Sequence, residues 1–397
     1  MQRSTDRILT THAGSLPRPA DLLAMIYSRM NGEPLDEAAF QERLRGAVKD
    51  IVRKQVDLGL DVVDDGEFGK PSFMTYVNER LGGFEPDPDA PQGSPWATSR
   101  EARSFPDFYL KETAHAAAKH RRMVCRGPIR YRGHAALRTD LDNLKAAVAG
   151  HDVADVFVPA VSPSNVEEWN RNQHYDSDEA YLFAIAEAMR EEYRAIIAAG
   201  FLLQIDDPRL VTYYMLEPGL SLADCRKWAA LHVEALNFAL EGIPREKVRH
   251  HTCYGINMGP RIHDMESESS TSSSDIIDIL LRVNAGAFSF EAANPRHEHE
   301  WQVWKEVTLP PDTILIPGVI TQSTVLVEHP ELVAQRILRF AEVAGRERVI
   351  AGADCGFATF AGSNEVPEPV VWAKFEALVK GAAIASEHLW GRRKIAS

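Results

Sequence analysis

The chain has 397 residues, 45% of them apolar and 25% charged, values of a folded globular protein that exclude a disordered or collagen-like polymer. Lys and Arg number 44 against 57 Asp and Glu, a net charge of −13, which argues against a broad surface for nucleic acid or anionic lipid and for small-molecule partners. No stretch nears the ~18 consecutive apolar residues of a membrane span, and the opening MQRSTDRILTTH lacks the apolar core of a signal peptide, so a cytoplasmic location is expected. The cysteines Cys125, Cys225, Cys253 and Cys355 are too sparse for a disulfide framework, so any special role for them is metal binding or catalysis.

Short β-branched or apolar runs begin near Ile8 (ILTT), Asp61 (DVVDD), Val156 (VFVPAV), Phe201 (FLLQID), Val248 (VRHHTC), Ala287 (AFSFEA), Thr313 (TILIPG) and Val349 (VIAGAD). Segments of helical period separate them, so the pattern is that of an α/β protein and predicts a single (β/α)8 TIM barrel over residues 1–397. Between Leu35 and Leu58, Phe40, Leu44, Val48 and Ile51 recur at helical spacing and leave Glu42, Arg45 and Lys49 for solvent. Ser177–Ala199 ends at Gly200, Ser221 with Asp224 resembles a capping box whose helix stops before Gly242, and Pro330 opens a helix ending near Gly345.

Two segments break this rhythm. Residues 84–107 hold Pro86, Pro88, Pro91, Pro95 and Pro106 and read as an irregular excursion between the second and third strands. With Met123–Tyr131 as a hairpin outside the barrel, they make an expected insertion over residues 84–132. The Ser-rich run 266–275, ESESSTSSSD, reads as a solvated loop leading to a helix N-cap.

In a βα barrel the C-terminal strand ends and the loops after them build the active site. His251 and Cys253 lie two apart at such an end, so their side chains share a face, and Glu291 and Cys355 end two later strands. Singly these residues are ordinary. Together, nitrogen, sulfur, oxygen and sulfur, read as coming from three adjacent strands, suit tetrahedral zinc. His250 alternates away from Cys253.

TTHAGSLPR (10–18), QVDLGLDVVDDGEF (55–68), LQIDDP (203–208), HTCYG (251–255), FEAANPRHEHEW (290–301) and GADCGF (352–357) follow one another along nearly the whole chain. With these motifs the sequence resembles the catalytic barrel of cobalamin-independent methionine synthase and its single-domain relatives. The resemblance implies zinc held by His251, Cys253, Glu291 and Cys355, the four residues reached from strand ends. It also implies an acceptor site in which Ser15, Glu67 and Asp206 hold the amino-acid part of homocysteine; paired carboxylates suit an ammonium group. Asp64, Asp65 and Asp207 are further acids of that mouth. A coordinated thiol is deprotonated, so the metal would supply the nucleophile for zinc-dependent methyl transfer, and the resemblance implies that one ligand, Glu291, yields its place to the thiol.

The sequence departs from this family in three places. The folate-dependent enzyme has a second, N-terminal barrel, whereas one barrel is spelled here. Where the family reads Gly-Val-Tyr-Asp-Ile-His-Ser, with a proton-donating histidine, this chain reads GVITQST, with Thr321 for the aspartate and Ser323 for the histidine. His12, His297 and His299 are the histidines placed to donate in its stead, and His12 joins Glu67 and Asp206 as candidate catalytic groups. A donor that departs without a proton, such as a methylcorrinoid, is then expected to outperform methyltetrahydrofolate. Third, the aromatic Trp-Ser-Phe of the family is missing, and Trp169 is the nearest ring for a pterin.

Two alternatives stay open. Epoxyalkane:coenzyme M transferase, among the single-domain relatives, opens an epoxide with a sulfonated thiol, for which Arg18, Lys70, Arg130 and Arg296 are available cations. A non-catalytic, zinc-stapled thiol sensor is the other. The expected partners are a homocysteine-like thiol and an alkyl donor, whether corrinoid, folate or another, with neither nucleic acid nor membrane; a homo-oligomer is also open.

Overall fold

The eight expected runs all form strands. In chain order the strands are β1 Leu9–Thr10, β2 Val62–Val63, β3 Leu81–Pro86, β4 Met123–Tyr131, β5 Asp155–Val161, β6 Asn170–Asn172, β7 Leu202–Asp206, β8 Val248–Thr252, β9 Ala287–Phe290, β10 Ile314–Ile320 and β11 Ile350–Ala353. In this computed structural model the described residues are 1–90, 99–109, 121–216, 220–255 and 273–391. The Ser-rich run lies outside them up to residue 272, and its last residues open the helix Ser273–Leu280.

Parallel pairing orders eight strands β1-β11-β10-β9-β8-β7-β5-β2. The Asp61 amide donates to the Thr10 carbonyl at 3.1 Å and draws the two end strands together. The fold is a (β/α)8 TIM barrel. Asp206 pairs in register with His251, and His251 with Ser289. Because side chains alternate along a strand, in-register residues of equal parity share one layer facing the barrel axis.

The ligand strands are not all adjacent, contrary to the expectation. β8 and β9 are neighbours, but β10 separates β9 from β11, which carries Cys355. Chain order around a barrel places the Thr313 run between them, and Cys355 reaches the site because it stands in the loop past Ala353, where it is no longer confined to its own strand.

The helices follow their sequence signals. Glu37–Leu58 is capped by Asp36, which accepts from the Ala38 and Ala39 amides, and buries Phe40, Leu44, Val48 and Ile51. The Ser221–Asp224 capping box forms, and Pro330 starts the helix Pro330–Ala344.

Outside the barrel, β3, β4 and β6 make a second sheet that begins at Leu81, ahead of residue 84, and takes its third strand from Asn170–Asn172. β3 and β4 are antiparallel, with Leu81 opposite Tyr131. Gly83 sits at the irregularity in this pair with φ +93°, and a Cβ there would stand 2.7 Å from the Gly127 carbonyl oxygen, which explains the absence of a side chain. Glu192, on the helix Asp178–Ala198, fastens this sheet to the barrel: it accepts from Tyr76 Oη at 2.6 Å, Tyr131 Oη at 2.7 Å and Arg80 Nη1 at 3.2 Å. Trp169 is buried, and its Nε1 donates to the Arg121 carbonyl at 3.2 Å, so it packs this junction.

Candidate metal centre and acceptor pocket

Among the described residues, His251, Cys253 and Cys355 form one group of metal-ligating side chains, all buried, with ligand atoms within 4.8 Å of one another. The two sulfurs stand 3.1 Å apart, and both cysteines are free. His251 Nδ1 meets Ser289 Oγ at 3.0 Å, while its buried Nε2 has no hydrogen-bond partner. An imidazole oriented through one nitrogen, with the other bare beside two thiols, is the arrangement of a metal-binding histidine. Burial, aided by the charges of Arg249 and His250, lowers its pKa to about 3 and keeps it neutral, as ligation requires. The Cys355 thiol is pushed well above its ordinary value by its hydrogen bond with Cys253, by burial, and by the charges of Cys253, Glu291 and Asp206. A bound cation reverses each of those penalties, so the donor set fits a soft divalent metal.

Glu291 stands outside that trio. Its Oε1 accepts from the Tyr254 amide at 2.8 Å and its Oε2 from Asn294 Nδ2 at 3.3 Å. The turn after it is anchored by Asp354, whose Oδ1 accepts from the Ala292 and Ala293 amides at 2.7 and 2.9 Å. The residue before Cys355 therefore positions the residues after Glu291. His250 points to the other side of β8, where its Nε2 meets Asp207 Oδ2 at 3.2 Å.

The acceptor candidates adjoin the metal-ligating group. A Cβ on Gly356 would lie 2.0 Å from Ser15 Oγ, so the glycine after Cys355 is what admits that hydroxyl. Ser15 Oγ is buried without a partner, and its backbone is held by the Phe357 amide and by Leu16 bonding to Gly66. Asp206 is buried, accepts from Gln204 Nε2 at 2.7 Å, and has its pKa raised well above the ordinary value by burial and by Glu67. Asp64 is likewise raised by burial and by Asp65, and its Oδ2 has no partner.

Glu67 carries the backbone strain of this pocket, with φ +57°, set by turns in which Asp64 and Asp65 carboxylates accept from the Gly66 and Glu67 amides. Its Oε1 pairs with Lys70 Nζ at 3.1 Å, a partner that the motif did not reveal. Lys70 also donates to the Pro159 carbonyl at 2.6 Å and lies 4.4 Å from the centre of the Tyr76 ring. Arg18 donates to the carbonyls of Glu67, Lys70 and Ala358, and Arg130 is exposed on β4 of the outer sheet.

His12 is buried with both ring nitrogens engaged: Nδ1 accepts from the Gly14 amide at 3.2 Å, and Nε2 meets Gln55 Oε1 at 2.8 Å. Burial lowers its pKa to about 4. His297 stacks on Tyr254 at 3.6 Å and meets Glu300 at 3.0 Å, while His299 is exposed. Ser323 Oγ accepts from Asn294 Nδ2 at 3.0 Å. Asn294, Asp354 and Ser289 are the functional neighbours that sequence reasoning missed, and Lys70, expected as an available cation, is instead the partner of Glu67. Asp354 and Asn294 stood in the sequence motifs, but the Ala292 and Ala293 amides that Asp354 holds and the Ser323 hydroxyl that Asn294 meets follow other strands.

The profile of the cobalamin-independent synthase catalytic domain matches residues 8–105 and 152–370. The chain belongs to this family. The stretch between the two matched blocks holds β4 and the helix His134–Val148. The chain is similar to the methionine synthase of Thermococcus kodakarensis, at 24% identity over 96% of this chain and 94% of that protein. The methionine synthase of Sulfolobus acidocaldarius is 23% identical over 96% and 93%. A solved structure of a B12-independent methionine synthase from Shewanella sp. W3-18-1 in complex with selenomethionine superimposes with a TM-score of 0.72 at 19% identity, covering 97% of this chain and 100% of that one. No helix among the described residues is long and apolar enough to cross a membrane.

Proposed function

We propose that the protein is a zinc-dependent methyltransferase that methylates the thiol of homocysteine to give methionine, with His251, Cys253 and Cys355 holding the ion. The observation that carries this reading is the juxtaposition of a bare, buried His251 Nε2 and two thiols with the bare Ser15 hydroxyl and the buried Asp206 and Glu67 carboxyls. When bound, zinc would lower the pKa of an incoming thiol and present its sulfur as a nucleophile. The residues do the rest. Ser15 Oγ and its neighbouring backbone receive the substrate carboxylate. Asp206 and Glu67 receive its ammonium, which relieves the like-charge penalty on Asp206. The sulfur pair forms the new S–CH3 bond as the methyl–donor bond breaks and its electrons stay with the donor. His12 orders the Gly14 turn that presents Ser15.

An amino-acid thiol is favoured over a sulfonated one because, of the four cations named for a sulfonate, Arg18 and Lys70 are spent on carbonyls and on Glu67 and Arg130 lies on the outer sheet. One catalytic unit working in the cytoplasm, where buried free cysteines stay reduced, completes the reading.

The test is turnover of zinc-loaded protein with homocysteine or coenzyme M against methylcobalamin, methyltetrahydrofolate and an epoxide, beside the Cys355→Ser protein. Methionine formation that disappears in Cys355→Ser together with its zinc is the expected result. Full zinc retention by Cys355→Ser, or use of coenzyme M and the epoxide alone, overturns it.

A further inference from the structure

Gln204 lies on β7 two residues before Asp206, so the two side chains share a face of the strand, and it is fully buried. Its side-chain amide spends both hydrogens: Nε2 donates to the Ala13 carbonyl at 2.7 Å and to Asp206 Oδ1 at 2.7 Å. Its Oε1 has no partner, so the two donor contacts alone set the orientation of the amide. One NH2 group therefore ties the turn that carries Ser15 to an acid that receives the substrate ammonium. Gly14 admits this contact: its φ is +124°, and a Cβ there would stand 2.9 Å from Pro159 Cγ and 3.8 Å from Gln204 Nε2.

The rest of the turn is held from elsewhere. Arg249, in register with Gln204 on the neighbouring strand and fully buried, donates to the His12 carbonyl at 2.8 Å and to Thr11 Oγ1 at 3.1 Å. The Phe357 amide donates to the Ser15 carbonyl at 2.9 Å, and the Leu16 amide to the Gly66 carbonyl at 3.1 Å. Those contacts fix the turn to the barrel, whereas the Gln204 contact fixes it to Asp206.

We propose that Gln204 is a positioning residue that sets the distance between the carboxylate-binding turn and the ammonium-binding acid, and so makes the pocket read an α-amino acid of one hand. Around the α-carbon of homocysteine three groups have separate destinations: the carboxylate at Ser15, the ammonium at Asp206 and Glu67, and the thiol arm at the metal ligands. Three fixed destinations accommodate one enantiomer and misplace a group of the other. Slack between any two of them removes that discrimination before it removes binding, and the Gln204 amide is what takes up the slack between the first two. The inference rests on the homocysteine reading above and adds to it the residue that gives the acceptor site its hand.

Two substitutions test it. Gln204→Met keeps the bulk of the side chain and removes both donors, and Gln204→Glu keeps its length and can supply at most one hydrogen. Zinc-loaded wild type and variants are titrated calorimetrically with L-homocysteine and with D-homocysteine, and circular dichroism and zinc content are measured on each protein.

The wild type should bind the L form more tightly than the D form. With circular dichroism and zinc content unchanged, the variants should bind L-homocysteine about ten-fold more weakly and D-homocysteine within about two-fold of the wild type, so that the preference collapses. A group that merely supports the fold would weaken both enantiomers by the same factor. Equal weakening of the two, unchanged affinity for both, a wild type without preference, or loss of folding in both variants overturns the inference while leaving the acceptor site standing; if one variant folds, it decides. A zinc-loaded wild type that binds neither enantiomer overturns the homocysteine reading and the inference with it.

Discussion

Two buried polar clusters in this molecule are built on opposite principles. Around Glu192, both carboxylate oxygens are taken, by two tyrosine hydroxyls and the Arg80 guanidinium, and Arg80 is in turn paired with Asp140. Around Ser15, Asp64 and His251, buried polar atoms are left without partners, and the buried acids Asp64 and Asp206 each stand beside another acid, Asp65 and Glu67 respectively. Burying a polar group without a hydrogen bond costs free energy. A cluster that saturates itself joins elements together, whereas one that leaves the cost standing is shaped for something that arrives later. The first fastens the outer sheet to the barrel, and the second faces the C-terminal strand ends.

Substitutions that affect only one cluster test this contrast, and the largest effect belongs to the saturated one. Glu192→Gln leaves the buried Arg80 short of its partner and should cost about 3–5 kcal/mol of stability in urea unfolding. A loss under about 1 kcal/mol would break the comparison. Although burial works to raise the Glu192 pKa, Arg80, Lys70 and the tyrosine hydroxyls hold it below the ordinary value. Its contribution is therefore present above the unfolded carboxylate pKa and fades as pH falls through the lower folded one.

His12 gives the next effect, with its own sign. Its folded pKa of about 4 lies below the ordinary imidazole value of 6.5, so between those values the unfolded chain binds the extra proton. Stability should be full above that window and fall as pH drops through it, by about 3 kcal/mol in all. His12→Asn, which does not titrate, should flatten that part of the unfolding profile relative to the wild type. An unchanged slope would show that His12 is already charged in the folded protein.

The smallest change sharpens the contrast most. Asp206→Asn and Glu67→Gln should each weaken homocysteine binding by about 1.5–3 kcal/mol in calorimetric titration. Asp206→Asn should do so without loss of stability, because it removes an acid whose charge is penalised by burial and by Glu67. A stability loss as large as that of Glu192→Gln would place Asp206 among the structural groups.

The same distinction governs what could be read in advance. Strand positions, the Phe40–Ile51 helical face, the Ser221 capping box and the pairing of His251 with Cys253 are local in sequence: they depend on a period, a cap or a two-residue spacing. The mouth acids were visible too, since they follow predicted strands. The partners were not. Lys70 on the Pro159 carbonyl, Ser289 behind His251 and Asp354 under the Glu291 turn depend on which strands become neighbours and at what register.

The sequence by itself therefore determined the barrel, the strand ends at which chemistry gathers and the types of ligand available there, because period and side-chain type survive without long-range contacts. Only the tertiary structure decided that β10 stands between β9 and β11, that Glu291 accepts from the Tyr254 amide and Asn294, and that His12 turns into the barrel wall toward Gln55. Those outcomes depend on register and on competition among polar partners brought together from distant parts of the chain, and no local spacing encodes which of them a side chain will choose.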